Sequence, residues 1–275
     1  MSLPSKIFDL YIKASLHVAL AVTAFAYVTV QELGLTHDVW LYGFIFSSTI
    51  LSYNLTKYIS VAASDSILTS PLLKWIGGIT ALSFLTTCVL LFYLPADVII
   101  AALIFGSVTV AYALPISEEK KNLRNIYGIK IIVIAFVWAG VTVGLPVLNA
   151  GLESVEMTNP LYEGIQRLLF VSVLILPFDI RDYRSDDPTL GTLPQLLGVN
   201  KTRILGLILL SVCLVIEWVQ NPEVSGSFLI FFFMTILTAV MVRRSMVKQS
   251  AYFASFWVEG IPIGWALLLY LIELI

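Results

Sequence analysis

Charge is scarce in this chain. Only 12% of its 275 residues are Asp, Glu, Lys or Arg, where a soluble domain carries roughly 25%. A basic surplus is missing too. The formal net charge is −2, which excludes a polyanionic partner such as nucleic acid. Cysteine is almost absent: Cys88 and Cys213 both sit inside apolar runs. They supply neither a disulfide framework nor a metal-ligand spacing and read as packing residues. In place of charge stand hydrophobic residues, 59% of the chain, giving a mean hydropathy of +0.92. That excludes an ordinary soluble enzyme and a disordered chain. The sequence reads as a polytopic membrane protein.

Lipid offers no partner for an unpaired backbone group, so a spanning helix needs about 20 mostly apolar residues. Apolar runs between polar breaks fall near 10–30, 39–60, 75–94, 97–115, 127–148, 163–178, 203–220, 226–243 and 254–274. The first run lacks a small-residue cleavage site and is followed by eight similar ones, so it reads as a span rather than a signal peptide. The expected fold is therefore all-α: nine transmembrane helices in one bundle, forming a single domain over residues 1–275. The cations set its orientation. Numbering the breaks alternately puts fifteen of the sixteen Lys and Arg residues on one face and Arg167 alone on the other. The positive-inside rule makes the crowded face cytoplasmic, with the N-terminus inside and the C-terminus outside. In a bacterium the membrane would be the plasma membrane. Acidic residues on the outer side, such as Glu32, Asp38, Glu153, Glu156 and Glu223, read as solvated loop charges.

The cytoplasmic side holds an acidic cluster. Pro177-Phe178-Asp179-Ile180-Arg181-Asp182-Tyr183-Arg184-Ser185-Asp186-Asp187 follows the sixth span directly. Asp179, Asp182 and Asp186 are spaced i, i+3, i+7, which puts all three on one face of a helix. Three such carboxylates repel one another unless a cation lies among them. A divalent ion would suit them: Mg²⁺ takes one or two carboxylates together with substrate phosphate oxygens. The plainer alternative is a solvated loop whose acids pair with Arg181, Arg184, Lys201 and Arg203.

This stretch, with Gly191-Thr192-Leu193-Pro194 and Leu197-Gly198 after it, resembles the second aspartate-rich motif of the UbiA superfamily of intramembrane prenyltransferases. The loop between the fourth and fifth spans is similar to the family's as well. It carries Tyr112-Ala113-Leu114-Pro115, then Lys120, Lys121 and Arg124, then Gly128. The resemblance implies nine helices with cytoplasmic polar loops. It also implies transfer of a prenyl group from an allylic prenyl diphosphate to a lipid-soluble acceptor, with Mg²⁺ on Asp179, Asp182 and Asp186. Relatives use quinone precursors, tetrapyrrole-type rings or sugar phosphates as acceptors, and nothing in this sequence selects among them. Asn54, Lys57, Tyr112, Lys121, Arg124 and Arg181 would bind the substrate, and Tyr53, Tyr58, Tyr112 and Tyr183 could face the carbocation.

The first acidic motif of the family is missing. Where an N-D-x-x-D-x-x-x-D pattern is expected, this chain reads Tyr53-Asn54-Leu55-Thr56-Lys57-Tyr58-Ile59-Ser60-Val61-Ala62. Asp65 does not restore it, because at about 1.5 Å per residue it would lie ~16 Å from Asn54. Asn54-Leu55-Thr56-Lys57-Tyr58 also aligns with Asp179-Ile180-Arg181-Asp182-Tyr183 four spans later, as a weak internal repeat. Lys57 then stands where the second half has Asp182, and is expected to bind the diphosphate directly. Three functions follow: an active prenyltransferase, a diverged member that binds a prenyl diphosphate or other lipid, and a small transporter or scaffold. The last predicts ionisable residues along mid-membrane helices, and the sequence gathers them at one surface. His17 reads as a packed histidine, and Glu259 as an acid that could approach the site.

Overall fold

The computed structural model describes residues 3–62, 70–113, 128–154, 156, 158–187 and 190–274, and among these residues every regular element is helical. Helices α1 (Leu3–Lys13) and α2 (Leu16–Glu32) are bent by 57° at the residues between them. Next come α3 (Val39–Ala62), α4 (Pro71–Leu90), α5 (Ala96–Ala113) and α6 (Ile129–Ala139). A π-helical turn, Gly140–Gly144, joins α6 to α7 (Leu145–Ala150). The chain continues through α8 (Thr158–Asp182), the short α9 (Leu193–Leu197), α10 (Val199–Gln220) and α11 (Gly226–Arg244). A second π-helical turn, Phe253–Val258, leads into α12 (Ile261–Glu273). Among the described residues, six helices are long and apolar enough to cross a membrane, and seven if the bent α1–α2 pair counts as one span.

Helix α2 is apolar on every side and lies at the centre, where a helix without a polar face belongs. It packs on α3 and α12, while α8 packs on α6 and α10. Phe25 of α2 meets Trp138, Phe170 and Trp265 edge-on, with ring centroids 5.8–6.3 Å apart. The outer helices do the reverse. Trp75, Leu82 and Leu85 of α4 and Ile204, Ile208 and Val215 of α10 point outward. An apolar belt of that extent is a liability in water and is the expected lipid-facing surface of a multi-pass protein.

Two spans depart from the expected boundaries for identifiable reasons. The run near 10–30 is broken because Ser15 takes a left-handed conformation, φ 62°, with its side chain fully buried. The span expected at 163–178 begins earlier, at Thr158, because Arg167 and Glu163 neutralise each other one helical turn apart inside the bundle.

Candidate functional site

The acidic stripe divides as the helix unwinds. Helix α8 ends at Asp182, and the N–H groups of Ser185 and Asp186 both donate to the Asp182 carbonyl, at 2.9 and 2.8 Å. Asp179 and Asp186 converge on one ammonium: Lys130 Nζ lies 2.8 Å from Asp179 Oδ1 and 3.4 Å from Asp186 Oδ2. Asp182 turns elsewhere. Its two oxygens accept from Arg181 Nε at 2.7 Å and Arg181 Nη2 at 2.9 Å. Among the described residues, no three Asp, Glu, His or Cys side chains are grouped so as to hold a metal ion. The expected triad is thus replaced by two separately paired carboxylate groups. The i, i+3, i+7 argument assumed a helix running through Asp186, and that helix stops first.

Local sequence explains why Lys130 is there. Gly128 adopts φ +74° and donates its N–H to Leu190 O at 3.2 Å, which sets the angle at which α6 begins. Lys130 then stands in the first turn of α6, facing Asp179. Gln195 of the Thr192-Leu193-Pro194 segment ties the acidic loop down. It accepts from the Thr192 N–H at 2.9 Å and donates to the carbonyls of Asp186 and Asp187 at 3.3 and 3.2 Å. A small cavity of about 150 Å³ lies between Lys130, Asp179, Thr192 and Leu193. Asp179 is fully buried against it, and neither of its oxygens accepts a hydrogen bond of good geometry beyond the ionic contact with Lys130.

At the matching end of α3, Asn54 is spent inside the protein. Ser15 Oγ donates to its Oδ1 at 2.8 Å, and its amide donates to Ala14 O at 3.2 Å and Thr80 Oγ1 at 2.9 Å. With 2% of its surface exposed, Asn54 clamps three helices and does not face a ligand, contrary to its expected binding role. Lys57 is exposed and donates to Ser15 Oγ at 3.0 Å, with its ammonium 5.5 Å from the centre of the Tyr53 ring. Glu259, at the end of the second π-turn, lies within electrostatic reach of both Lys57 and Arg181. The ends of α3 and α8 therefore meet here, one contributing an ammonium and the other a guanidinium.

Beside them opens an apolar cavity of about 190 Å³ among α2, α3, α5 and α6. Its polar edge is formed by Ser52, Tyr53, Thr56 and Tyr112, and its walls by Phe44, Phe105, Val137 and Trp138. The Trp138 indole donates to the Tyr53 hydroxyl at 2.9 Å, holding both rings in place. Tyr112 lines this cavity. Lys121, Arg124 and Asp65 lie outside the described residues.

A second polar group, unconnected with these, sits at the other end of α8. Arg167 is 2% exposed, pairs with Glu163, donates to Phe25 O at 2.9 Å and Thr29 Oγ1 at 3.1 Å, and lies 4.1 Å over the Phe25 ring. Glu32 is the last residue of α2, half-buried and within electrostatic reach of Glu163 and Arg167, which corrects its reading as a solvated loop charge. Glu217 accepts from Gln166 at 3.1 Å and Asn221 at 3.1 Å. His17 is packed as expected: it meets Tyr11 and the Phe256 carbonyl, each at 2.9 Å, and stacks on the Phe256 ring.

Sequence reasoning missed Ser15 and Lys130 as site residues. Lys130 had a signal, being a lone cation two residues after a glycine at the start of an apolar run. Ser15 had none.

The class that the fold defines is a helical, multi-pass membrane protein with an apolar cavity among α2, α3, α5 and α6. No family model and no curated protein matches the sequence. A solved structure does resemble it: the apo structure of a UbiA homolog from Aeropyrum pernix K1, with a TM-score of 0.67 and 12% identity. The match covers 94% of this chain and 99% of that one. The chain shares the fold of that UbiA homolog.

The resemblance implies Mg²⁺ on Asp179, Asp182 and Asp186. Mg²⁺ needs a near-octahedral shell of free oxygens at about 2.0–2.1 Å. Here Asp179 and Asp186 share an ammonium and Asp182 is held by a guanidinium. The opposite helix end offers a hydrogen-bonded amide in Asn54. The described residues do not fit that ion.

Proposed function

We propose that the chain is an intramembrane prenyltransferase of nine spans with a cytoplasmic N-terminus, acting on an allylic prenyl diphosphate and a lipid-soluble acceptor. One observation carries this reading. The exposed ammonium of Lys57 stands over Tyr53, whose ring is part of the apolar cavity. A cation next to a greasy pocket suits an amphiphile with an anionic head and a hydrocarbon tail.

Lys57 and Arg181 would neutralise the diphosphate as its carbon–oxygen bond breaks. The Tyr53 and Tyr112 rings would face the allylic cation at the cavity mouth. The apolar walls would keep water from it until the acceptor attacks. A second reading, a protein that binds the prenyl diphosphate without transferring it, is favoured by the structural use of Asn54 where relatives place an acidic motif. Transport has no comparable support, since the buried Arg167–Glu163–Glu217 group is unconnected with the cavity.

The purified protein, in detergent or nanodiscs, should be incubated with labelled geranylgeranyl diphosphate and a membrane lipid extract, with Mg²⁺ or with EDTA. Diphosphate release coupled to a new prenylated lipid supports the transferase. Saturable binding without release leaves the second reading. No binding in either condition removes both. Release confined to the Mg²⁺ arm would give the aspartates back the metal role that the resemblance implies.

A further inference from the structure

We infer that Lys130 is a built-in counter-cation, standing between Asp179 and Asp186 where a divalent metal would otherwise sit, so that this site holds its anionic ligand without bound metal. The identity of the anion rests on the function proposed above; the exclusion of metal does not.

Three observations converge. The first is geometric. Lys130 Nζ contacts both carboxylates, 2.8 Å from one and 3.4 Å from the other, bridging them as a metal would. The second concerns need. Asp179 is fully buried and neither oxygen accepts a well-formed hydrogen bond, so its charge requires a cation at close range. Lys130 meets that need from within the chain. The third is rigidity. A side chain on a free helix end could swing away to let a metal in. Lys130 is instead the second residue of α6, at a helix start held in place by the left-handed Gly128 and the Gly128 N–H to Leu190 O bond.

The neighbouring groups agree. Asp182 is taken by Arg181, and Arg181 in turn lies within electrostatic reach of Asp186, Glu259 and Lys57. A divalent ion placed on Asp179 and Asp186 would meet the Lys130 ammonium directly, with Lys57 and Arg181 nearby. Lys130 is spent on Asp179 and Asp186 and Arg181 on Asp182, so the cation left to meet an anionic headgroup is Lys57, exposed at the α3 end. Lys130 is therefore a positioning residue, holding the acidic loop in register and keeping metal out.

The test is binding of Mn²⁺, a paramagnetic substitute for Mg²⁺, to the full-length protein in detergent, read from the free-ion electron paramagnetic resonance signal. Wild type should leave Mn²⁺ free, and Lys130→Met should bind it at least about tenfold more tightly. Tight Mn²⁺ binding by wild type that is lost in Asp186→Asn overturns the inference. So does a folded Lys130→Met that gains no affinity. If Lys130→Met does not fold, Lys130→Arg keeps the charge and should leave Mn²⁺ free like wild type; binding by either protein overturns the idea.

A separate arm measures geranylgeranyl diphosphate binding in EDTA and in Mg²⁺. Equal affinities support the inference, and a loss of more than about tenfold in EDTA sinks it. If no prenyl diphosphate binds at all, the proposed function falls while the Mn²⁺ titration still decides the role of Lys130.

Discussion

The Lys57 ammonium donates to Ser15 Oγ at 3.0 Å, and that same hydroxyl donates to Asn54 at 2.8 Å. A single buried serine in a left-handed turn thus ties the exposed cation of α3 to the break between α1 and α2. Lys57 and Asn54 lie one turn apart on the same helix and share this partner, yet they should respond to mutation in opposite ways.

Lys57→Ala removes an exposed charge and one hydrogen bond. Fold stability should hardly change. If Lys57 meets the diphosphate, affinity for a prenyl diphosphate should fall by roughly 1.5–3 kcal/mol, the worth of a charged hydrogen bond. That is about tenfold to a hundredfold. Equilibrium binding and thermal unfolding of the same preparation check both halves. Unchanged affinity would remove Lys57 from the site.

Asn54→Ala should behave the other way. It strands the Ala14 carbonyl and leaves Ser15 and Thr80 without their amide partner in a buried setting. Such losses cost about 1–3 kcal/mol. The unfolding temperature should drop clearly, and binding should weaken only as far as the α1–α2 break loosens. A normal melting curve with binding abolished would instead return Asn54 to direct ligand contact.

The contrast also shows how much of the site could be read from the sequence. The apolar runs and the polar breaks between them depend on composition, and the helices fall close to where they place them. The aspartates were found because they are close in sequence. Their partner was not, because Lys130 comes from a different helix and no local spacing carries a tertiary ion pair. The stripe on Asp179, Asp182 and Asp186 failed for a local reason: the chain leaves the helix after Asp182 and rotates Asp186 back toward Asp179's partner. Ser15 was invisible because a serine in an apolar run gives no hint of positive φ. The Glu163–Arg167 pair was legible from its i, i+4 spacing, but its burial depends on Phe25 and Thr29 of α2.

Arg167 gives a third prediction. Replacing it by Met leaves Glu163 buried without its cation, beside Glu32. Breaking a buried pair from one side costs about 3–5 kcal/mol. Arg167→Met should lower the thermal midpoint sharply in detergent, and Glu163→Gln in the same chain should recover part of the loss. A double variant no more stable than Arg167→Met would show that the guanidinium acts through Phe25 and Thr29 rather than through Glu163.

The cavity supplies the last prediction. Phe105 packs its ring on Gly140, at the first π-turn, so closely that an added Cβ would lie 2.1 Å from its Cζ. The ring also forms part of the cavity wall. Gly140 therefore sets how far Phe105 can withdraw, and Phe105 sets the room left for a tail. Phe105→Ala should shift binding preference toward longer prenyl diphosphates, and Gly140→Ala, by driving the ring inward, toward shorter ones. Each methylene newly fitted or excluded is worth about 1–3 kcal/mol in an apolar pocket, so competition between two chain lengths should resolve the effect. A preference that moves the same way in both variants would mean that the tail lies elsewhere.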